Sequence, residues 1–211
     1  MIEFRLYLIS DRQFIQGGSD ESALATAIET ACRAGVRAVQ IREKDLDARP
    51  RYALTQTVRD ITSRYETKLF VNDRVDIALT TGADGVHCPE HGISIPEAKR
   101  LLGRSRHVGA STHSLERARE AQRLGADFIT FGPMFPTPSK MAYGPPQGLK
   151  ALADVASSVT IPVFAIGGIT PARTAACLDH GAAGVALISA VLAMDDIAGA
   201  VDAFSKVMGP L

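Results

Sequence analysis

A single-domain (β/α)8 TIM barrel spanning residues 1–211 is the fold this sequence predicts, and three observations predict it. Apolar strand-like segments alternate with helix-periodic segments roughly eight times, the count that a closed parallel barrel requires. Four junctions repeat one pattern: Arg33-Ala34-Gly35, Thr81-Gly82-Ala83-Asp84, Leu124-Gly125-Ala126-Asp127 and His180-Gly181-Ala182-Ala183. Each ends a helix at glycine and leads into a strand, as a repeated αβ unit would. The length of 211 residues and mass of 22.4 kDa suit one substantial core. A flavodoxin-like open sheet is the main competitor, but it would leave about three of the repeated units unexplained.

The elements follow in order. Phe4 to Ile9 is the first apolar strand. Ser22 to Ala34 carries Leu24, Ala27, Ile28 and Ala31 at helical spacing, with Gly35 as its stop before a strand at Val36 to Ile41. Ala48 to Tyr65 is helical, Lys68 to Val71 a short strand, Val75 to Leu79 a small helix, and Gly85 to His87 the next strand. Pro96 fits the first turn of a helix ending near Leu102, before a strand at His107 to Gly109. Ser114 to Leu124 is helical and Asp127 to Thr130 returns to the sheet. A helix at Gly148 to Ser157, a strand at Pro162 to Ala165, a helix at Pro171 to His180, a strand at Gly184 to Ile188 and a final helix at Asp195 to Val207 complete the series. Between them, Phe131 to Gly148 holds Pro133, Pro136, Pro138, Pro145 and Pro146. It is too proline-rich for a helix and too long for an ordinary connection, which favours a lid or binding loop.

Composition narrows the function. The 23 basic and 23 acidic side chains cancel, so net charge supplies no drive toward nucleic acid or an anionic membrane. Cys32, Cys88 and Cys177 are scattered and odd in number, which fits neither a structural zinc site nor a fully disulfide-bonded monomer. The first residues read as a strand rather than a secretory signal, and no stretch of eighteen apolar residues follows. A cytoplasmic protein with small-molecule substrates is the expectation. Exposed helices are as compatible with a homodimer as with an ordinary barrel surface.

In a barrel, chemistry is expected just after the strands. Gln40, Arg42 and Lys44 alternate with Val39, Ile41 and Glu43, which places two cations and an amide on one face, suited to an anion. Pairing of Arg42 and Lys44 with Glu43, Asp45 or Asp47 is the structural alternative. Asn72 and Asp73 follow the third strand and could serve hydrated Mg²⁺, or Asp73 could cap the next helix. Ser111, Thr112 and His113 follow the fifth strand: hydroxyls suit phosphate and His113 suits proton transfer, while Ser114 or Thr112 could simply cap the helix. Thr137, Ser139 and Lys140 bring two hydroxyls and a cation to the proline-rich loop, which could close over a diphosphate. Gly167 and Gly168 after the seventh strand, and Ile188 and Ser189 after the eighth, offer backbone amides for a terminal phosphate.

Taken together, these segments resemble the thiamine phosphate synthase and TenI superfamily over essentially the full chain. The matching stretches are Gln40 to Lys44, Asn72-Asp73, Ser111 to His113, Gly132 to Lys140, Ala165 to Gly168, and Ile188-Ser189. The resemblance implies a transferase of thiamine biosynthesis that joins hydroxymethylpyrimidine diphosphate to thiazole-ethyl phosphate and releases diphosphate. By the same resemblance, Gln40, Arg42, Asn72, Ser139 and Lys140 hold the pyrimidine diphosphate, with Lys44 nearby. Asp73 binds Mg²⁺, and Ser111 and Lys140 neutralise the leaving group. Thr137 and the amides of Gly168, Ile188 and Ser189 hold the thiazole phosphate. One departure stands out: Gly92 occupies the place where synthases carry a second metal-binding aspartate, and Glu90 is the nearby carboxylate that could compensate. This variant loop also resembles TenI-type members, which implies a metal-independent thiazole tautomerase with His113 as acid/base. A non-catalytic phosphate-binding module is the third reading.

Overall fold

The computed structural model describes residues 2–15, 20–137 and 145–209. Eight parallel strands close on themselves in chain order: β1 (Leu6–Ile9), β2 (Ala38–Ile41), β3 (Lys68–Asn72), β4 (Gly85–Cys88), β5 (His107–Thr112), β6 (Phe128–Phe131), β7 (Val163–Ile166) and β8 (Gly184–Leu187). Leu8 of β1 lies opposite Leu187 of β8, which completes the ring and excludes the flavodoxin-like alternative. Outside the strands run α1 (Glu21–Arg33), α2 (Ala48–Arg64), α3 (Val75–Thr80), α4 (Ile95–Leu102), α5 (Leu115–Arg123), α6 (Gly148–Ala156), α7 (Pro171–Asp179), α8 (Ser189–Leu192) and α9 (Ile197–Met208). Among the described residues, the expected strands and helices are all present, shifted by a few residues at their ends. Two short pieces were not expected: a 3-10 turn at Arg12–Phe14 and α8. Both are too short for an apolar period to repeat in sequence.

Alternation along each strand separates two cores. Side chains such as Val39, Ile41, Val71, Val108 and Ile129 face the helices. Their neighbours Tyr7, Ala38, Phe70, Phe128 and Phe164 face the barrel axis, joined by Phe4. The five rings of Phe4, Tyr7, Phe70, Phe128 and Phe164 meet at centroid distances from 5.1 Å to 6.2 Å, mostly edge to face. Glycine makes this possible. A Cβ at Gly109 would lie 2.4 Å from Phe128 Cζ, and one at Gly85 would lie 2.8 Å from Phe70 Cε1. The rings fill the interior early in the strands, so polar groups gather where the strands end.

The repeated junctions also do the same job in space. Gly82 and Gly125 stop α3 and α5 with φ of 66° and 95°, the left-handed region that glycine tolerates. The aspartates that follow reach back to the preceding strand. Asp84 Oδ2 accepts from Leu69 N at 2.9 Å and from Arg59 of α2 at 2.7 Å. Asp127 Oδ2 accepts from Val108 N at 2.6 Å and from Lys99 of α4 at 2.6 Å. Each carboxylate thereby ties one strand to a helix packed outside it.

Candidate active site at the strand ends

Gln40, Arg42 and Lys44 climb from the barrel interior to its rim. β2 stops at Ile41, so only Gln40 belongs to the alternating strand. Gln40 is buried and its Nε2 donates to Tyr7 Oη at 2.9 Å. Arg42 is half-buried and Lys44 exposed. Two of the acids between and beyond them are taken by another cation. Buried Glu43 accepts from Ser10 Oγ at 2.6 Å and from Arg12 Nη1 at 3.1 Å. Asp45 receives both Arg12 nitrogens at 2.7 Å, and that fork holds its carboxyl below the usual range. Arg12 was not expected at the site, because its role depends on the 3-10 turn that brings it back over β2. The Arg42 amide donates to Ser10 Oγ at 2.8 Å, so Glu43 also fixes the Arg42 backbone through Ser10. Arg51 of α2, likewise missed, donates through Nη2 to the Leu46 and Lys44 carbonyls at 2.5 Å and 3.4 Å, shaping the turn that carries Lys44.

Asn72 ends β3 opposite His87 of β4. Asp73 follows it with a φ of 64°, uncommon for a residue with a side chain. Its Oδ1 accepts from Ile93 N at 2.8 Å, while α3 begins at an Arg74 cap with no side-chain bond. Asp73 therefore anchors the β4–α4 loop and does not cap α3. Gly92 completes this contact, since a Cβ there would lie 2.1 Å from Asp73 Oδ1. Glu90 turns the other way: Oε1 meets Arg117 Nε at 3.2 Å and Oε2 lies 4.0 Å from His113 Nε2. Among the described residues no group of three or more His, Cys, Asp or Glu side chains could hold a metal. Asp73 is bound to an amide, Glu90 is paired with an Arg117 that it shares with Glu120, and position 92 carries no side chain. These residues do not fit a two-carboxylate magnesium site.

Beyond β4 and β5 the polar groups converge. His87 is fully enclosed, with Nε2 3.1 Å from Ser111 Oγ and Nδ1 3.5 Å from Tyr7 Oη. Burial, reinforced by the charge of Arg42, pushes the His87 pKa down to about 3, so the ring is neutral at physiological pH. Ser111 is half-buried beside it. Thr112 points away from the mouth, with its hydroxyl donating to the Thr130 carbonyl at 3.0 Å, and is unavailable to phosphate. Ser114 caps α5 by accepting from Arg117 N at 3.2 Å. His113 Nδ1 sits 2.5 Å from the Gly132 carbonyl, which as an acceptor requires the proton on Nδ1, and its Nε2 faces Glu90.

The late strands complete the mouth. Phe135 N donates to the Gly167 carbonyl at 3.0 Å, and a Cβ on Gly168 would lie 2.8 Å from Phe135 Cβ. Gly168 thus gives room to the proline-rich loop. Arg173 of α7, another residue the sequence did not flag, donates to the Gly168 carbonyl at 2.8 Å and stacks 4.6 Å from the Phe135 ring. Thr137 Oγ1 is buried with no hydrogen-bond partner among the described residues. Ile188 caps α8, whose first residue is Ser189. Ser139 and Lys140 lie outside the described residues. Burial pushes the Cys88 thiol up to about 12, aided by Asp73, and the Cys177 thiol up to about 11, so neither is an activated nucleophile.

Comparison with known proteins places this arrangement among relatives. The family model described as thiamine monophosphate synthase matches residues 6–191. A protein of Geobacter sulfurreducens is 51% identical over 195 residues, covering 92% of this chain and 90% of its own. The thiamine-phosphate synthase of Clostridium novyi is 39% identical, covering 94% of this chain and 96% of its own. A solved structure, thiamine phosphate pyrophosphorylase from Pyrococcus furiosus, superposes with a TM-score of 0.86 at 35% identity, covering 97% of this chain and 95% of that one.

Proposed function

The chain belongs to the thiamine monophosphate synthase family, and from that premise we propose that it joins hydroxymethylpyrimidine diphosphate to thiazole-ethyl phosphate, forming thiamine phosphate and diphosphate. The observation that carries this reading is the disposal of charge after β2. Arg12 takes both Glu43 and Asp45, so neither acid is left for Arg42 at the mouth. Among the described residues no acid is paired with the Arg42 guanidinium, and a guanidinium without a counter-ion is suited to a polyanion.

In this reading the C–O bond to the diphosphate breaks as positive charge develops on the pyrimidine methylene, and the thiazole nitrogen supplies the electron pair for the new C–N bond. Arg42, Ser111, Ser139 and Lys140 stabilise the departing diphosphate, with Lys44 at the rim. Gln40 and Asn72 face the pyrimidine side. The buried Thr137 hydroxyl gains a partner in the thiazole phosphate, which the amides of Gly168, Ile188 and Ser189 also hold. The proline-rich loop keeps water from the cationic methylene. No protein nucleophile is used. Magnesium, when bound, would supply charge neutralisation on a diphosphate, and Asp73 is the carboxylate that would hold it.

A second reading is favoured by one observation. The Gly132 carbonyl orients His113 through Nδ1 and leaves Nε2 4.0 Å from Glu90, an arrangement suited to proton transfer at Nε2. It supports thiazole tautomerase chemistry on carboxythiazole-ethyl phosphate. One comparison tests both. The purified protein is given each substrate set, with and without Mg²⁺, and thiamine phosphate and diphosphate are expected in equal amounts from the pyrimidine and thiazole pair. Neither product forming would overturn the synthase reading. Aromatisation of the carboxythiazole that His113→Asn abolishes would establish the tautomerase instead, and phosphate-ligand affinity without turnover would establish a binding module.

A further inference from the structure

We propose that Tyr7 and His87 are positioning residues for Ser111: with Gln40 they form a one-way hydrogen-bond chain across the barrel interior that leaves the Ser111 hydroxyl proton to be donated to a phosphate oxygen of the bound substrate. The inference rests on the diphosphate-site reading above and assigns work to two residues that reading does not use.

The direction of the chain follows from counting protons. Gln40 Nε2 donates to Tyr7 Oη at 2.9 Å, and an amide nitrogen can only donate. Tyr7 is fully buried and has one proton of its own, and the acceptor it faces is His87 Nδ1, at a long 3.5 Å. Were Nδ1 protonated instead, Gln40 and His87 would both donate into the tyrosine oxygen, and the tyrosine proton would be stranded in an apolar interior at considerable cost. The Nε2–H tautomer removes that conflict. His87 Nε2 then donates to Ser111 Oγ at 3.1 Å, and the serine proton is free to rotate toward the mouth. With the opposite tautomer Ser111 would donate into His87 and present only lone pairs, which repel a phosphate oxygen. Aligned donors also polarise one another in a low-dielectric interior.

The surroundings hold this geometry. Tyr7 and His87 stand on strands that do not pair with each other, so the chain crosses the barrel rather than following the sheet. Space for the imidazole comes from Gly109, where a Cβ would lie 2.7 Å from His87 Nδ1. Phe128 flanks the ring at 5.8 Å between centroids, as does Tyr7 at 5.8 Å.

The test uses the whole chain, nitrogen NMR of ¹⁵N-histidine-labelled protein, and calorimetry with inorganic diphosphate. Wild-type protein is expected to show His87 as the Nε2–H tautomer, and Tyr7→Phe to lose that preference. Diphosphate affinity should fall about tenfold in Tyr7→Phe and in Ser111→Ala, with no further fall in the double variant. His87→Gln, which keeps an N–H near the Nε2 position, should retain more affinity than His87→Leu. In turnover, Tyr7→Phe should lower kcat more than it raises KM. An Nδ1–H tautomer in the wild type, or losses from Tyr7→Phe and Ser111→Ala that add, would overturn the proposal. The tautomer and the diphosphate affinity are read without turnover, so a protein that fails as a synthase still decides whether the chain exists.

Discussion

Three acidic residues, Glu43, Asp45 and Asp47, follow Arg42 within five positions, and on spacing alone each is a candidate counter-ion for it. What removes two of them is Arg12, thirty-one positions before Glu43 in sequence, delivered by a three-residue turn. Glu43→Gln should therefore act in two ways. It weakens the charged bonds to Ser10 and Arg12, lowering stability by about 2 kcal/mol in urea denaturation, and by loosening Ser10 it should raise KM for the diphosphate substrate more than it lowers kcat. Residue types after the strands were legible in the sequence, since Gln40, Asn72, Asp73, Ser111 and His113 all stand at strand ends. Their partners were not. Arg12, Arg51, Tyr7, His87 and Arg173 act through contacts distant in sequence or through backbone carbonyls, and neither leaves a local pattern. Asp73 illustrates the limit: a carboxylate before a helix reads equally as cap or ligand, and only the chain's left-handed turn sends it to the Ile93 amide.

At the scale of elements, glycine stops and apolar periods located every strand and every helix long enough to have a period. Hidden within the same junctions was a second function, the aspartate that ties its neighbouring strand to an outer helix. Burial alone would raise the Asp84 pKa, but the Leu69 amide and Arg59 outweigh it and the pKa is lowered. A lowered folded pKa means that this stabilisation is present above the unfolded value of about 3.9 and is lost as pH falls through the folded one. Asp84→Asn should cost about 1–3 kcal/mol at pH 7. The gap between variant and wild type should close in urea titrations carried into acid. The proline-rich loop is held at its root by Arg173 on α7, through the Gly168 carbonyl and the Phe135 ring. The start of that loop is thus registered to the turn proposed to bind phosphate.

For the molecule as a whole, the interior is shared unequally among the strands. β1, β3, β6 and β7 contribute rings, while β4 and β5 contribute glycines that make room for them. Gly109→Ala should cost about 1–3 kcal/mol by overpacking, and Phe128→Leu a similar amount by leaving a void. Because each change offsets the other's volume error, the double variant should be more stable than the sum of the two losses by at least about 0.5 kcal/mol in chemical denaturation. Fully additive losses would show that the clash with His87 Nδ1, which Phe128→Leu does not relieve, sets the cost of the added methyl group. No helix among the described residues is long and apolar enough to cross a membrane.

The packed rings have a kinetic corollary as well. They make the barrel a blind well, with a floor through which nothing the size of a substrate can pass. A molecule bound at the strand ends can therefore leave only from the side on which it entered.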